Sequence, residues 1–306
     1  MTHPHIQAIL IDLSGTLHVG STPIPASVSA LGHLRSSKIP FRFCSNTLKE
    51  STEDLCQRLV EMGFDIKMDS GETNVGSREV WTSIGAVKRL IEERGFQKPF
   101  FLLSDSAKAE CIEGNQAISA SLTHTEMPYD GVIVGLSPNS FTYDILSEAF
   151  QILTHQHPSQ SSKSTSPSSR PPIPLIATHK AKYIRPSSSA PLVLGPGPFV
   201  TALEEASGVR AEIVGKPSRK FFETVIGDMA LDINSDTAGG SGRIAIVGDD
   251  VEADLGGAAS ELGLWRVLVK TGKYRPGDES KPGVRPPDEV SASFAEWVDS
   301  VLANRS

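Results

Sequence analysis

Residues 6–18 read IQAILIDLSGTLH, an apolar run that ends in a short polar turn. The run at 6–13 is typical of a buried parallel strand, although periodicity alone does not separate such a strand from a buried helix. Asp12 stands near its end, and Gly15 lets the backbone turn sharply so that nearby N–H groups face an anion. Ligands of open α/β sheets bind beyond the carboxyl ends of the strands, which makes Asp12 a candidate nucleophile or metal ligand. The alternative is that Asp12 only caps a turn or a helix.

Similar runs and helix-like patterns alternate on both sides of this stretch. Residues 52–62 carry Leu55, Leu59 and Met62 on one stripe and stop at Gly63, as an amphipathic helix does. Further strand candidates are 41–44, 211–214, 243–247 and 265–269, and a further helix candidate is 27–34. Strands that alternate with helices predict an α/β fold whose core is a doubly wound, Rossmann-like parallel sheet.

The middle of the chain repeats this alternation with elements of its own. Strand candidates lie at 100–103, 131–134 and 175–177, and a helix candidate lies at 143–153. We predict that residues 80–197 form a second α/β domain, inserted into a core made of residues 1–79 and 198–306.

Within the insertion, residues 155–174 read HQHPSQSSKSTSPSSRPPIP and hold almost no apolar side chains. Such a segment buries too little surface to offset the entropy lost on ordering, so we predict a disordered surface loop. The loop is either a neutral insertion or a place for phosphorylation or partner docking. Residues 235–241, SDTAGGS, have the composition of a smaller flexible insertion.

Polar side chains follow the other strand candidates of the core. Ser45 and Asn46 come after the second strand, where a hydroxyl and an amide either donate hydrogen bonds to phosphoryl oxygens or simply build a turn. Lys216 follows the strand at 211–214 and either neutralises phosphate charge or lies in solvent.

An acidic cluster follows the strand that ends at residue 247. Its members are Asp249, Asp250, Glu252 and Asp254. They either complement the dipole of a helix N-terminus or form a magnesium site, since Mg²⁺ prefers oxygen ligands and is often shared with substrate phosphates. In the second case Asp249 is the direct ligand, and Asp254 binds through water or orients the lysine.

The order of these residues along the chain carries information that no single residue does. Asp12, Ser45, Lys216 and Asp249 each follow a different strand, and a parallel sheet places all such ends on one edge. A phosphoacceptor receiver domain uses similar residues but has its acidic pair first and its nucleophile in mid-chain. The order therefore disfavours a receiver domain.

Composition excludes several classes of protein. The 306 residues include 29 Lys+Arg against 36 Asp+Glu, a formal charge of −7, which argues against a nucleic-acid partner because phosphate backbones need clustered cations. No apolar run approaches the ~18 residues of a membrane span, and no basic leader is recognisable, so we expect no membrane partner. Cys44, Cys56 and Cys111 have no CxxC spacing and predict reduced thiols in a cytoplasmic protein, with the nucleus as the second location.

Four motifs resemble, in order, those of the haloacid dehalogenase superfamily of phosphohydrolases with an aspartyl nucleophile. They are DLSGT (12–16), Ser45-Asn46, Gly215-Lys216-Pro217 and GDDVEAD (248–254). The insertion between the second and third motifs is similar to the C2-type α/β cap of the NagD-like subfamily. Further stretches extend the resemblance over nearly the whole chain except residues 155–174 and 235–241. They are ATHKAKY (177–183), LGPGPFVTALE (194–204) and LVKTGKYRPGDE (268–279).

This resemblance implies a mechanism and roles for individual residues. Asp12 attacks phosphorus and forms an aspartyl-phosphate, which water then hydrolyses. Mg²⁺ is held by the Asp12 carboxylate, the backbone carbonyl of Ser14 and Asp249, with Asp254 in support. The residues implied to bind the phosphorylated substrate are Asp12, Leu13, Ser14, Ser45, Asn46 and Lys216. Relatives with such caps often pair through them, so we expect a homodimer.

Ser14 departs from the pattern of the resembled family. Most phosphatases of that superfamily carry a second Asp here, which protonates the leaving group and then deprotonates the water. A Ser hydroxyl is too weakly acidic for this at neutral pH, and general acid–base catalysis is typically worth ~10²–10⁴-fold in rate. We therefore expect a Mg²⁺-dependent phosphohydrolase for a phosphorylated small molecule or phospho-amino acid. It should favour phosphoramidates, pyrophosphate and aryl phosphates over alkyl esters.

Several alternatives stay open at this point. His18, four residues after Ser14, is either a substitute proton shuttle or a structural residue. His179, Lys180 and Lys182 either bind an anionic part of the substrate or form a solvated basic surface. The chain is alternatively a phosphate- or phosphoprotein-binding module that kept the fold and lost turnover, or a scaffold that acts through residues 155–174.

Overall fold

The structure, a computed structural model, describes residues 4–46, 49–67, 78–121, 127–160, 171–186, 190–231 and 242–304. In chain order its strands are β1 (Ile6–Asp12), β2 (His18–Val19), β3 (Thr22–Pro23), β4 (Phe41–Ser45), β5 (Val80–Thr82), β6 (Pro99–Leu102), β7 (Gly131–Val134), β8 (Leu175–Ala177), β9 (Tyr183–Ile184), β10 (Val193–Leu194), β11 (Glu212–Ile213), β12 (Arg243–Gly248), β13 (Trp265–Val269) and β14 (Glu289–Ser291). Its helices are α1 (Ser27–Ser36), α2 (Thr52–Glu61), α3 (Ser83–Arg94), α4 (Asp105–Ile112), α5 (Gln116–Ser121), α6 (Tyr143–Leu153), α7 (Gly197–Ser207), α8 (Arg219–Asp228), α9 (Ala258–Glu261) and α10 (Phe294–Ala303).

The larger sheet places β1 at its centre. Its parallel strands run in the order β14-β13-β12-β1-β4-β5. Ile9 and Ile11 pack into one apolar layer, whereas Ala8 and Leu10 pack into the other. A strand that is buried on both faces needs apolar residues at every position, which explains the continuous run at 6–13. The predicted doubly wound parallel sheet is confirmed.

Helices cover both faces of this sheet. Leu31 of α1 and Trp297 of α10 lie in the layer that contains Ile11, and Phe222 of α8 lies in the opposite layer. Local capping sets where some helices begin. Ser51, for example, accepts the Asp54 N–H and begins α2.

A second parallel sheet has the strand order β11-β8-β7-β6. Side chains of α3 and α4 pack on one face, and those of α6 and α7 pack on the other. Two strands differ from the predicted division at 79/80 and 197/198. β5 pairs with β4 in the larger sheet, and β11 pairs with β8 in the second. Strands of two or three residues carry no pattern that shows which sheet they join, and the division into domains stays a prediction.

The two sheets meet just after β8 and β11 of the second sheet, where Asn46, which follows β4 of the larger sheet, hydrogen-bonds to the Lys216 main chain. The Gly215 N–H donates to the Thr178 carbonyl at 2.9 Å, and a Cβ on Gly215 would lie 2.5 Å from that oxygen. Such a close approach of two backbones requires glycine at 215, directly before Lys216. It places His179, the next residue after Thr178, beside the carboxyl edge of the larger sheet.

The segment predicted as a disordered loop at 155–174 is described at its two ends. Pro158–Gln160 forms a 3-10 turn, and Ile173 is buried in the apolar layer of the second sheet. At these ends the prediction was wrong, because Ile173 supplies an apolar anchor just before β8. Residues 161–170 and 235–241 lie outside the described residues.

None of the described helices combines the length and the hydropathy needed to cross a bilayer. Cys44, Cys56 and Cys111 are buried thiols that form no disulfide.

Candidate active site

The strand ends that were predicted to share an edge bring their residues into one pocket. Its lining includes Asp12, Ser14, Ser45, Asn46, Lys216, Asp249 and Asp254. Register explains why Asp12, Ser45 and Asp249 meet, since β1 lies between β12 and β4 with Asp12 opposite Cys44. For Lys216 the prediction of a shared edge was wrong, because Lys216 follows β11, which pairs with β8 in the second sheet. Leu13 is not brought into the pocket. Its side chain is fully buried beside Ile11, because neighbouring positions of an extended chain point to opposite faces.

Lys216 lies between two of the carboxylates and is 1% exposed. Its Nζ donates to Asp12 Oδ1 at 2.5 Å and to Asp254 Oδ1 at 2.7 Å. Burial alone would lower the pKa of this lysine, but the two carboxylates outweigh burial and raise the pKa of Lys216 above its usual range. The ammonium group therefore stays charged and holds both carboxylates in place.

Asn46 fixes the main chain of Lys216. Its Oδ1 accepts the Lys216 N–H at 2.9 Å, and its Nδ2 donates to the Lys216 carbonyl at 3.0 Å. The amide that was predicted to contact a phosphoryl group thus positions the lysine in this structure. Ser45 is 4% exposed and lies beside Asn46 in the pocket wall.

Two donors orient the Asp12 carboxylate. Thr16 Oγ1 donates to Asp12 Oδ2 at 3.0 Å, while Lys216 holds Oδ1. Gly15 has a φ of 99°, and a Cβ at this position would overlap Asp249 Oδ2. Only glycine satisfies both requirements, and the turn after β1 therefore packs directly against the acidic cluster.

Asp12, Asp249 and Asp254 form a buried cluster whose ligand atoms lie within 4.8 Å of one another. Burial and the Asp12 carboxylate raise the pKa of Asp249 well above its usual range, and raise the pKa of Asp254 to about 6. Asp249 Oδ2 accepts the Lys273 N–H at 2.6 Å, whereas Oδ1 is buried with no hydrogen-bond partner among the described residues. A buried carboxylate oxygen without a partner is unfavourable unless a cation meets it. This all-oxygen donor set fits Mg²⁺.

Lys273 completes the charge arrangement, and sequence reasoning gave it no role. Its Nζ donates to Asp250 Oδ2 at 2.9 Å. Burial opposes the charged form, but Asp249 and Asp250 raise the pKa of Lys273. Burial likewise opposes ionisation of Asp250, yet Lys273 lowers the pKa of that carboxyl to about 2. The sequence does contain one indication of a role for Lys273, because this residue lies in the turn after β13, another strand of the larger sheet.

Ser14 and His18 bear on the question of the proton carrier. Ser14 lines the pocket, and its backbone forms an isolated bridge with His18. His18 is 2% exposed, its Nδ1 donates to the Gly20 carbonyl at 2.9 Å, and it does not line the pocket. Burial, assisted by Arg58, lowers the pKa of His18 to about 4. These observations favour the structural role for His18 over the proton shuttle.

The three basic residues after β8 separate in the structure. His179 is buried and lines the pocket. Lys180 pairs with Glu204 at 2.6 Å, and Lys182 is 74% exposed with Glu252 at 3.8 Å. The two lysines form ion pairs with glutamates at the surface, and His179 is the one of the three that lines the pocket.

Comparison with known proteins agrees with this geometry. A sequence model described as haloacid dehalogenase-like hydrolase matches residues 9–116, and one described as HAD-hydrolase-like matches residues 213–297. Human haloacid dehalogenase-like hydrolase domain-containing protein 2 is 37% identical over 298 residues, which cover 97% of this chain and 96% of that protein. Human phospholysine phosphohistidine inorganic pyrophosphate phosphatase is 31% identical over 301 residues, which cover 97% and 94%.

Solved structures share the fold. The 4-nitrophenylphosphatase of Thermotoga maritima aligns with a TM-score of 0.72 at 23% identity, covering 97% of this chain and 98% of that one. NagD from E. coli K-12 aligns with a TM-score of 0.70 at 21% identity, covering 95% and 98%. A glycerol phosphate phosphatase from Mycobacterium tuberculosis, solved in complex with magnesium, aligns with a TM-score of 0.68 at 21% identity, covering 97% and 76%. These sequence matches show that the chain belongs to the haloacid dehalogenase-like hydrolase family and is an enzyme of the phosphatase type.

Proposed function

We propose that the chain is a Mg²⁺-dependent phosphohydrolase that works through an aspartyl-phosphate on Asp12. One observation supports this most strongly. The Lys216 ammonium and three buried carboxylates surround one pocket, and one oxygen of Asp249 has no partner among the described residues. Such a site suits a phosphoryl group, because phosphoryl transfer depends mainly on positioning and charge neutralisation.

The reaction has two steps. First, an oxygen of Asp12 bonds to phosphorus while the bond from phosphorus to the leaving group breaks, and the electron pair departs with the leaving group. Lys216 and Thr16 have already fixed the carboxylate for this attack. Water then attacks the phosphorus of the acyl phosphate, which restores the Asp12 carboxylate and releases inorganic phosphate.

Asp12, Asp249 and the Ser14 backbone carbonyl are the groups that would hold the metal, with Asp254 in support through its contact with Lys216. Bound there, Mg²⁺ supplies Lewis-acid neutralisation of the phosphoryl oxygens. Lys216 and Ser45 are left to bind the phosphoryl group itself, while Asn46 keeps Lys216 in position.

The substrate class follows from Ser14. Without a carboxyl group there, an alkoxide leaving group receives little proton assistance, and that assistance is typically worth ~10²–10⁴-fold. We therefore expect phosphoramidates, pyrophosphate and aryl phosphates, whose leaving groups need less protonation, to be better substrates than alkyl esters. The name of the human phospholysine phosphohistidine inorganic pyrophosphate phosphatase describes substrates of these kinds.

A Mg²⁺-dependent activity panel tests this proposal. Pyrophosphate, a phosphoramidate and 4-nitrophenyl phosphate should be hydrolysed at least about tenfold faster than glycerol phosphate. Asp12→Asn should abolish phosphate release from every substrate, whereas Asp299→Asn, an exposed carboxylate on α10, should leave it unchanged. Alkyl esters cleaved as fast as phosphoramidates would contradict the substrate class, and an active Asp12→Asn variant would contradict the mechanism.

Ser14 also supports a second candidate, a phosphate- or phosphoprotein-binding module that retains the fold without turnover. Trifluoroberyllate, a mimic of the phosphoryl group, distinguishes the two. An enzyme should bind it at Asp12 and also release inorganic phosphate from substrates. A binding module should bind it and release none.

Magnesium binding has its own test in thermal stability. Mg²⁺ should stabilise the wild type, and a ligand present at about 100 times its dissociation constant adds about 2.7 kcal/mol to the free energy of unfolding. Asp249→Asn should lose this gain. The same variant should be no less stable than the wild type without metal, because it removes a buried carboxylate whose Oδ1 lacks a partner among the described residues. A melting temperature of the wild type that does not change when Mg²⁺ is added would contradict the metal assignment.

We also propose that the second sheet and its helices form an inserted cap, and that two copies pair through it in the cytoplasm. Val193 and Leu194 of β10 are 43% and 61% exposed, and exposed apolar residues suit such an interface. Light scattering on the purified protein measures the oligomeric state, and a monomer at all concentrations would contradict the dimer.

A further inference from the structure

Two residues that line the pocket each have a side-chain nitrogen donor without a hydrogen-bond partner among the described residues. His179 Nε2 and Arg185 Nε are both buried, and neither has a hydrogen-bond partner among the described residues. Both residues line the pocket that contains Asp12 and Lys216. Since buried polar atoms are nearly always paired, two orphaned donors in one cavity indicate that a ligand supplies the acceptors.

A hydrogen bond fixes the tautomer of His179. Its Nδ1 accepts the backbone N–H of Ala181 at 3.3 Å, so the proton of the neutral ring is on Nε2. Burial, together with the charges of Lys273 and Lys216, lowers the pKa of His179 to about 3, which keeps the ring neutral. Nε2 therefore donates a hydrogen bond but has no lone pair with which to accept a proton. His179 does not replace the acid–base group that is missing at Ser14.

Arg185 offers a charged donor beside this neutral one. Its Nη1 donates to the Ala190 carbonyl at 3.1 Å, which anchors the guanidinium and leaves the Nε–H without an acceptor among the described residues. The two residues follow β8 and β9, respectively, whereas Asp12 belongs to β1 of the larger sheet. The lining of the pocket thus combines a nucleophile from the larger sheet with two residues that follow β8 and β9, each of which has an unpaired donor among the described residues.

We propose that His179 and Arg185 form a subsite that binds the leaving group and selects leaving groups that are anionic and rich in acceptor oxygens. This inference rests on the proposed function. In-line transfer puts the leaving group on the side of phosphorus away from the attacking oxygen of Asp12. The second phosphate of pyrophosphate has the required chemistry. A leaving group that departs as a stabilised anion also needs no proton, which is consistent with serine at position 14.

Pyrophosphate and phenyl phosphate test the subsite, because only the first has acceptor oxygens beyond the bridging atom. The readout is the ratio of kcat/KM for pyrophosphate to that for phenyl phosphate. His179→Leu and Arg185→Met should each lower this ratio about tenfold, the fold-change expected for one lost hydrogen bond. His179→Gln retains a side-chain N–H and should restore most of the ratio. A ratio that stays unchanged in His179→Leu and Arg185→Met would overturn the proposal.

Binding of a non-hydrolysable analogue separates the subsite from catalysis. Calorimetry in Mg²⁺ should show that His179→Leu and Arg185→Met bind methylenediphosphonate about tenfold more weakly than the wild type, relative to phenylphosphonate. Equal weakening for both ligands would overturn the subsite. If the wild type releases no phosphate from any substrate but shows this binding pattern, the proposed phosphohydrolase fails and the subsite stands.

Discussion

At the scale of single residues, the charged centre of the site is a mutually dependent set. Lys216 is buried between Asp12 and Asp254, and removing one partner of a buried ion pair is destabilising by about 3–5 kcal/mol because it leaves an uncompensated charge. Substitutions at these three positions therefore change folding and chemistry together. Ser14 lies in the pocket wall outside this ion cluster, so its chemistry can be altered with less disturbance.

Ser14→Asp should turn the protein into a better alkyl phosphatase. The new carboxyl group would protonate an alkoxide leaving group, and we expect kcat/KM for glycerol phosphate, which reports the step in which the leaving group departs, to rise about 10²-fold. The kcat/KM for 4-nitrophenyl phosphate should change much less, since its leaving group needs little protonation. Steady-state kinetics on both substrates measures the effect. Ser14→Asn, similar in shape but not an acid, is the control, and an equal gain in that variant would show that proton transfer is not the cause.

The sequence predicted those site residues that directly follow a strand and missed those that depend on contacts between loops. Asp12 and Asp249 stand at the end of an apolar run or just beyond one, so the edge of the larger parallel sheet accounts for their meeting. Lys216 follows β11 of the second sheet and reaches them through the approach of the two sheets. Lys273, to which sequence analysis assigned no role, lies in a turn whose approach to the acidic cluster is set by tertiary packing. Packing also decides between the two interpretations of His179, which lines the pocket while Lys180 and Lys182 do not. Packing also turns the Asn46 amide toward the Lys216 main chain, which composition could not reveal.

At the scale of elements, Gly215 is the point where three of them converge. A Cβ at this position would overlap Asn46 Oδ1, lie 2.5 Å from the Thr178 carbonyl oxygen and lie 2.7 Å from Ser83 Cβ. These atoms stand after β4, after β8 and at the start of α3, respectively. The position of Lys216, one residue on, therefore depends on the packing of both sheets.

Gly215→Ala should destabilise the protein by about 1–3 kcal/mol, the typical range for an overpacked site, and should lower phosphatase activity by displacing Lys216. Gly32→Ala is the matched control. Gly32 lies inside α1, and a Cβ added there would have no described atom within 4 Å outside its own helix turn, so alanine should stabilise by up to about 1 kcal/mol. Urea unfolding of both variants measures the two shifts. A neutral Gly215→Ala variant would contradict the convergence of elements described above.

Strands that are buried on both faces were predictable, and short edge strands were not. The runs at β1, β12 and β13 are apolar at nearly every position, which sets them apart from the flanking helices and turns. β14 (EVS) and β5 (VWT) form the two edges of the larger sheet, and each pairs with only one neighbour among the described strands. Three residues at an edge give no periodicity, so their strands follow from tertiary hydrogen bonds alone.

At the scale of the whole molecule, stability depends on histidines that are buried in their neutral form. Burial lowers the pKa of His18 to about 4 and that of His179 to about 3, against an ordinary value of 6.5. The unfolded chain binds protons at these residues as the pH falls below 6.5, whereas the folded chain does not until the pH is lower still. Both residues therefore add stability above pH 6.5 that is lost progressively as the solution is acidified.

His18→Asn should make folding stability less sensitive to acid. In the wild type, His18 lowers the free energy of unfolding by up to about 1.4 kcal/mol for each pH unit between 6.5 and about 4, because only the unfolded state takes up the proton. Asparagine keeps a side-chain N–H for the Gly20 carbonyl but binds no proton in this range. Urea unfolding of both proteins at pH 7, 6 and 5 measures the effect. As the pH falls, the free energy of unfolding of the variant should rise relative to that of the wild type by about 1 kcal/mol per pH unit. Buried carboxylates titrate in both proteins, so their contributions cancel in that difference. If the free energies of unfolding of the two proteins fall in parallel with pH, His18 is protonated in the folded state as well as in the unfolded state.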